Sequence, residues 1–435
     1  MATEPEREEQ PEAPTLPLLT TPADGIPDVV DTWDALDEVI TALADGHGPI
    51  AVDTERAQSF RYSPKAYLVQ LRRQGSGTHL IDPVAFEDPD GRPQLSRLQA
   101  AMEPSEWVIH AASQDLPCLA MAGLVPRTVF DTELAARLLG LPRVGLGALI
   151  EAEFDLQLLK EHSAANWSVR PIPQDWLAYA ALDVELLVEL RDRLEEQLRA
   201  AGKLDWALQE FAHGITKALE PGPDKADRWR RTTGLQQVRG RRGLALVREL
   251  WDERDLLAER HDLAPGKVVQ DKAITELAAK VRPSGRGGSG GTLPTRADLR
   301  QIDGFKRRNA RRFESNWVAA IDRVATLPDR DLPPSKVAQT GPPNPRGWET
   351  RDPEAWERWN RVRPATQQLA ESLQMPPEQL IQPDALKRIT HTPPQPVTAE
   401  TVDAALAGLG VRPWQRDQVV GVLVEGLTPP ADVSP

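Results

Sequence analysis

The sequence predicts an α/β domain, a mixed sheet flanked by helices, followed by all-α helical bundles. Three observations carry this. From Ile50 to Leu139, short apolar runs separated by turn material alternate with stretches of helical periodicity, the signature of strands interleaved with helices. From Asp227 to Val324 apolar residues recur only at helical spacing. Proline-rich breaks at Glu220–Pro223 and Leu327–Arg346 divide the chain where linkers belong.

With 435 residues, 40% hydrophobic and 27% charged, the chain has room for several globular domains, and its 40 prolines predict extended connections. Cys118 is the single cysteine, which excludes a disulfide framework and a cysteine-based zinc site and suits a core position. The first ten residues are acidic and lack an apolar run, and no stretch reaches the roughly 18 apolar residues of a membrane span. A cytoplasmic protein without membrane contact is expected. The net charge of −13 argues against a polyanionic partner until its distribution is considered. Residues 225–325 hold 23 Lys+Arg against 13 Asp+Glu, whereas the remainder holds 29 against 52. A basic module in an acidic chain is either an electrostatic footprint for phosphates or a solvated helical surface.

Taken in order, residues 1–20 are rich in Glu, Pro and Thr and are expected to be disordered. Thr32 is placed to cap a helix carrying Leu36, Val39, Ile40 and Leu43. Ile50–Asp53, Tyr67–Leu71 and Thr78–Asp82 read as a three-stranded meander. Leu95–Met102 fits a helix, Trp107–His110 a fourth strand, Leu116–Met121 a helix, Val129–Asp131 a short strand and Thr132–Leu139 another helix. One long helix is predicted from Gln174 to Ala200.

Acidic residues punctuate this pattern. Asp53 and Glu55 lie two apart on an extended backbone, so both carboxylates point to one side of the sheet. Asp115 follows the fourth strand and opens a helix, where it either caps the helix or serves a site. Tyr179 and Asp183 are four apart and share a helix face. Four carboxylates brought together at a sheet repel one another unless divalent cations sit between them, and paired hard cations bridged by carboxylates cleave phosphodiesters.

With these residues the chain resembles the Asp-Glu-Asp-Asp superfamily of 3′–5′ exonucleases, in the branch with a tyrosine in the last motif. More closely, it is similar to the bacterial ribonuclease D family. Phe130-Asp131-Thr132 with Ala135-Ala136, Gly145-Leu146, Lys160, Trp167 and Arg170-Pro171 follow that family's order across about residues 25–210. The resemblance implies a ribonuclease H-like domain in which Asp53, Glu55, Asp115 and Asp183 hold two divalent cations, Mg²⁺ or Mn²⁺. It implies that Tyr179 positions the attacking water, a role that suits a phenol of pKa near 10 better than that of a base. The product is a nucleoside 5′-monophosphate released from the 3′ end of an RNA such as a transfer-RNA precursor, by a monomeric enzyme. Lys160 and Arg170 are candidates for phosphate contact, and Trp167 either stacks on a terminal base or belongs to the core. Arg56 and Arg61 either line the mouth of the site or pair with nearby acids. A DNA exonuclease and a non-catalytic nucleic-acid-binding scaffold are the rival readings. The intact acids weigh against the scaffold.

Beyond this domain (21–210) and a linker (211–235), residues 236–325 resemble the helicase-and-ribonuclease-D C-terminal (HRDC) domain in the order of Asp262-Leu263-Ala264-Pro265, Lys272-Ala273-Ile274 and Leu299–Phe305. The basic cluster Lys306, Arg307, Arg308, Arg311 and Arg312 follows the Gly304 turn and is a candidate RNA contact. The Gly-rich loop at 283–291 either embraces a nucleic-acid backbone or only solubilises. A Pro-rich linker (326–355), a second, divergent HRDC-like bundle (356–427) and a disordered tail (428–435) complete the expected organisation.

Overall fold

In chain order the N-terminal domain comprises β1 (Leu18–Leu19), β2 (Val29–Val30), α1 (Trp33–Asp45), β3 (His47–Arg56), β4 (Ala66–Gln74), β5 (Gly77–Ile81), α2 (Ser96–Met102), β6 (Trp107–Ile109), α3 (Leu116–Met121), β7 (Val129–Asp131), α4 (Thr132–Leu138), α5 (Leu146–Phe154), β8 (Gln157–Leu158), α6 (Gln174–Glu185), α7 (Leu187–Ala200) and α8 (Leu204–Leu219). The structure, a computed structural model, describes residues 16–159, 164–220, 225–283, 291–336 and 341–429. The expected disorder of residues 1–15 and the Gly-rich loop at 284–290 lie outside them.

The expected meander is present as β3–β4–β5, antiparallel throughout, with β2 parallel to β5 at one edge and β6 and β7 continuing parallel from β3 at the other. Alternation along β3 sorts its side chains. Ile50 and Val52 join one core layer with Leu36, Leu43, Leu98 and Trp107, while Ala51 joins the opposite layer with Val184, Leu187 and Leu190. Full burial of each such leucine or valine contributes about 1.5–3 kcal/mol, so a one-residue slip of β3 would sacrifice both layers. Thr32 caps α1 as expected, its hydroxyl accepting from the Ala35 amide at 3.4 Å.

Two local expectations are corrected. Leu18–Leu19, inside the segment expected to be disordered, pairs in parallel with Gln157–Leu158, because these leucines end the acidic run and find an unpaired strand. The predicted long helix is two, broken at Leu186 (φ −112°, ψ 13°). The break lets α6 lie across β3, β4 and β5 while α7 packs on α4, α5 and α8.

Helix α8 runs on past residue 210 to Leu219 and buries Ala207, Glu210 and Phe211. Next come α9 (Gly240–His261), α10 (Pro265–Val268), α11 (Asp271–Ala279), α12 (Arg296–Gln301), α13 (Asp303–Lys306), α14 (Arg308–Arg312) and α15 (Glu314–Thr326), a bundle around Trp317, Leu250 and Ile274. Gly304 is required there: a Cβ would lie 2.3 Å from the Ala273 methyl. The last bundle is α16 (Trp348–Arg351), α17 (Pro353–Ser372), α18 (Pro377–Leu380), α19 (Pro383–His391), α20 (Ala399–Gly408) and α21 (Pro413–Leu427). Within the Pro-rich stretch expected to be a linker, Trp348 is fully buried. Among the described residues no helix is long and apolar enough to cross a membrane.

Both bundles are fastened to the first domain. The Asp262 carboxylate accepts from the amides of Tyr62 and Ser63 (3.1 Å each), and the Tyr62 hydroxyl donates to Asp255 (3.0 Å), so the loop leaving β3 is clamped. On the far side Trp206 stacks on Trp414 (4.8 Å), and Glu210 accepts from Arg412 (2.6 Å) and the Trp414 indole (2.8 Å). Gly140 (φ +73°) approaches so closely that a Cβ would lie 2.1 Å from the Gln374 carbonyl oxygen.

Candidate active site

Asp53 and Glu55 project from β3 on the face covered by α6, and Asp183 comes from α6 itself. One carboxylate oxygen of each lies within 4.8 Å of the others. Tyr179, one turn before Asp183, donates a hydrogen bond to its carboxylate. Thus three of the four predicted acids and the phenol converge.

Asp115 completes the group from another direction. It stands at the N-cap of α3, but its side chain makes no capping bond. It accepts instead from the Thr54 hydroxyl at 2.6 Å and lies 3.6 Å from the Arg56 guanidinium. Helix capping, the simple alternative for this residue, is therefore excluded. Thr54 points away from Asp53 and Glu55, as alternation requires, and ties β3 to the start of α3. Cys118 is in the core as expected, 3.2 Å from the same hydroxyl.

The electrostatics are those of a site short of positive charge. Burial, then repulsion from Asp115 and Asp183, raises Asp53 well above the ordinary carboxylate range. Burial and the neighbouring acids push Glu55 up to about 10. Asp183 rises to about 7, burial outweighing the hydrogen bond from Tyr179. Asp115 is raised by burial, with Thr54 and Arg56 holding it down. Burial and three carboxylates drive the Tyr179 phenol far above its usual value, so it stays protonated.

A further residue was hidden in the sequence. Gln70 sits on β4 directly opposite Asp53, so the two side chains share a face. It is fully buried, and neither amide atom has a hydrogen-bond partner among the described residues. An unsatisfied buried amide costs about 1–3 kcal/mol per group, and hydrated cations beside Asp53 would satisfy it. The donor set of hard oxygens and the partnerless amide both fit divalent cations. The available signal was one amide inside the apolar run Leu68-Val69-Gln70-Leu71.

One expected substrate contact is corrected, and of the two readings of Trp167 the core one holds. Trp167 is fully buried and tilts against Trp176 at 5.2 Å, leaving no face for a base. Arg170 donates twice to Asp82 (2.5 and 2.8 Å) and to the carbonyls of Tyr67, Trp167 and Val169, so its guanidinium is spent on structure. Lys160 lies outside the described residues. Arg56 donates to the Gln114 carbonyl (2.6 Å) beside the acids, and Arg61 binds Ser168 and Asp262. Lys306, Arg307, Arg308, Arg311 and Arg312 are all exposed on α13, α14 and the residue between them. Lys306 pairs with Asp303. They form an exposed basic surface.

A cluster of acids on a mixed sheet followed by helical bundles defines a metal-dependent nuclease, and comparison with known proteins agrees. A family model described as 3′-5′ exonuclease matches residues 27–199, an HRDC domain model matches 243–288, and one described as 3′ to 5′ exonuclease C-terminal domain matches 341–427. The ribonuclease D of Escherichia coli is 30% identical over 70% of this chain and 76% of that protein. That of Gluconacetobacter diazotrophicus is 29% identical over 75% of this chain and 80% of that protein. A crystal structure of a protein from Bifidobacterium adolescentis superposes with a TM-score of 0.83 at 35% identity, covering 95% of this chain and 99% of that one. The E. coli ribonuclease D crystal structure shares the fold, with a TM-score of 0.63 at 24% identity over 88% of this chain and 98% of that one. The chain belongs to the ribonuclease D family and is a metal-dependent 3′–5′ exoribonuclease.

Proposed function

We propose that Asp53, Glu55, Asp115 and Asp183 hold two divalent cations, Mg²⁺ or Mn²⁺, and that the enzyme releases nucleoside 5′-monophosphates one at a time from the 3′ ends of structured RNAs such as transfer-RNA precursors. The observation that carries this reading is the approach of Asp53, Glu55 and Asp183 within 4.8 Å, with Tyr179 hydrogen-bonded to Asp183. Bound there, the cations supply acidity toward water and charge neutralisation at the leaving 3′ oxygen.

The chain's own groups do the positioning. The single phenolic proton of Tyr179 is committed to Asp183, so the oxygen lone pairs accept a hydrogen bond from the attacking water and aim it. A phenol held protonated cannot act as the base. Gln70, with donor and acceptor both unused, orders the hydration around the acids from the β4 side. Thr54 and Arg56 fix the Asp115 carboxylate. The exposed cluster Lys306, Arg307, Arg308, Arg311 and Arg312 holds RNA backbone away from the cleft. The enzyme works in the cytoplasm as a monomer.

The test is product analysis with 5′-labelled RNA and DNA of one sequence, with and without Mg²⁺. Stepwise 3′ shortening of RNA with release of 5′-monophosphates is expected. Equal or faster trimming of DNA would overturn the substrate reading.

A further inference from the structure

The C-terminal bundle contains a cationic, tryptophan-lined groove that neither the carboxylate cluster nor the basic surface around α14 uses. A cavity of about 560 Å³ lies between the turn at 344–346, α17 and α19. Arg346, Arg363 and Lys387 line it together with Trp356, Trp359 and Asn360, and no carboxylate does. An adjoining 260 Å³ cavity shares Trp359, Arg363, Gln367 and Lys387, extending the groove toward Ile381 and Leu386, and one carboxylate, Glu378, lines this second part. The larger volume lies within the range of small-ligand sites.

The arginines of α17 are not alike. Arg358 donates to the carbonyls of Thr390 and His391 (2.9 and 3.0 Å), and Arg361 to that of Gly426 (3.0 Å), tying the bundle together. Arg363 has no such bond among the described residues, and its guanidinium carbon stands 6.0 Å from the Trp359 ring centroid. Nor do the Arg346 guanidinium and the Lys387 ammonium make an ion pair there, although Arg388, the next residue along, pairs with Asp384 at 2.6 Å. Three cations without an ion pair among the described residues thus line one cavity in a chain of net charge −13. Trp356 and Trp359 are only half-buried although they line the cavity.

Guanidinium and ammonium groups take phosphate oxygens, indole faces take bases, and side-chain amides read base edges. We propose that this groove binds a nucleotide unit of single-stranded RNA, its phosphate against Arg346, Arg363 and Lys387 and its base against Trp356 or Trp359. The choice of RNA rests on the exoribonuclease reading. The groove serves to anchor substrate at a point set apart from the acids.

The full chain is tested in EDTA, which stops hydrolysis, with a fluorescent 20-nucleotide uridine-rich RNA followed by anisotropy. Arg363→Glu with Lys387→Glu is expected to weaken binding about tenfold or more and to lower the salt slope by about 0.7, the one phosphate held in the groove. Trp359→Leu should weaken binding about fivefold or more with the slope unchanged. Wild-type protein crosslinked to 4-thiouridine RNA should carry the adduct on Trp356 or Trp359. This readout needs no substitution and stands even where a variant loses stability. Wild-type affinity and slope in the double variant, or adducts confined to other helices, would overturn the proposal. So would displacement of RNA by a phosphopeptide of equal charge as effective as unlabelled RNA. Because binding is measured without metal, its failure is separable from failure of the hydrolytic assignment, which Asp53 reports.

Discussion

Replacing Asp53 by asparagine should make the metal-free protein more stable while destroying its activity. Asp53 shares a 4.8 Å cluster with Glu55 and Asp183. Two unit charges at that separation repel by about 3.5 kcal/mol at an effective dielectric near 20. Near pH 8 Glu55, raised to about 10, remains protonated, whereas Asp183, at about 7, is mostly ionised. Asp183 is therefore the chief repulsive partner of Asp53, and because burial and repulsion raise Asp53 itself well above the ordinary carboxylate range, proton uptake has already relieved part of the strain. A gain of about 1–3 kcal/mol follows, which raises the melting temperature by roughly 2 °C or more. In Mg²⁺ the order reverses. The wild type should melt higher than in EDTA and the variant should not. Trimming should fall by roughly 10³-fold or more, since each lost kcal/mol of charge stabilisation is multiplied exponentially in the rate. Scanning calorimetry in EDTA and in Mg²⁺, with a gel assay on labelled RNA, measures all three. A lower metal-free melting temperature together with an undiminished Mg²⁺ shift would refute the reasoning.

Other outcomes are equally specific. Tyr179→Phe should slow single-turnover cleavage about 10- to 100-fold with RNA affinity in EDTA unchanged; an unaltered single-turnover rate removes the phenol from the mechanism. Arg170→Ala should cost about 2–3 kcal/mol by leaving the buried Asp82 with the Val84 amide but no cation, and chemical denaturation measures the loss. If it instead leaves stability intact and weakens RNA binding, Arg170 is a substrate contact after all. Stability in EDTA should depend on pH with a definite sign. Folded Glu55 and Asp183 hold protons more tightly than their ordinary values of 4.5 and 3.8, so their favourable contribution is complete below about pH 4. It is lost as pH rises through about 7 and on toward about 10. The Mg²⁺-induced rise in melting temperature should accordingly be larger at pH 9 than at pH 6. A rise that shrinks with pH contradicts the cluster's assigned proton affinity.

The acids on β3 and α6 were legible because their geometry is local: a period of two fixes the face of Asp53 and Glu55, and a four-residue step aligns Tyr179 with Asp183. The strands of the meander were legible for the same reason. What escaped depends on partners distant in sequence. Arg170 presented only a charge, and its neutralisation by Asp82, 88 residues away, is a product of folding. Asp115 stands where a capping residue stands, but Thr54 takes its carboxylate. Gln70 becomes informative only once register sets it opposite Asp53. The break at Leu186 carries neither proline nor glycine, so it answers to the different surfaces that α6 and α7 cover.

The seating of α8 against Trp414 bears on how the protein is made. The sheet, its acids and the tyrosine are all complete by residue 183, but Trp206 and Glu210 on α8 find their partners at Arg412 and Trp414. Some 230 residues separate Asp183 from the indole that stacks on Trp206. A ribosome engaged on this message therefore displays a nuclease domain with an open apolar flank until its last bundle emerges.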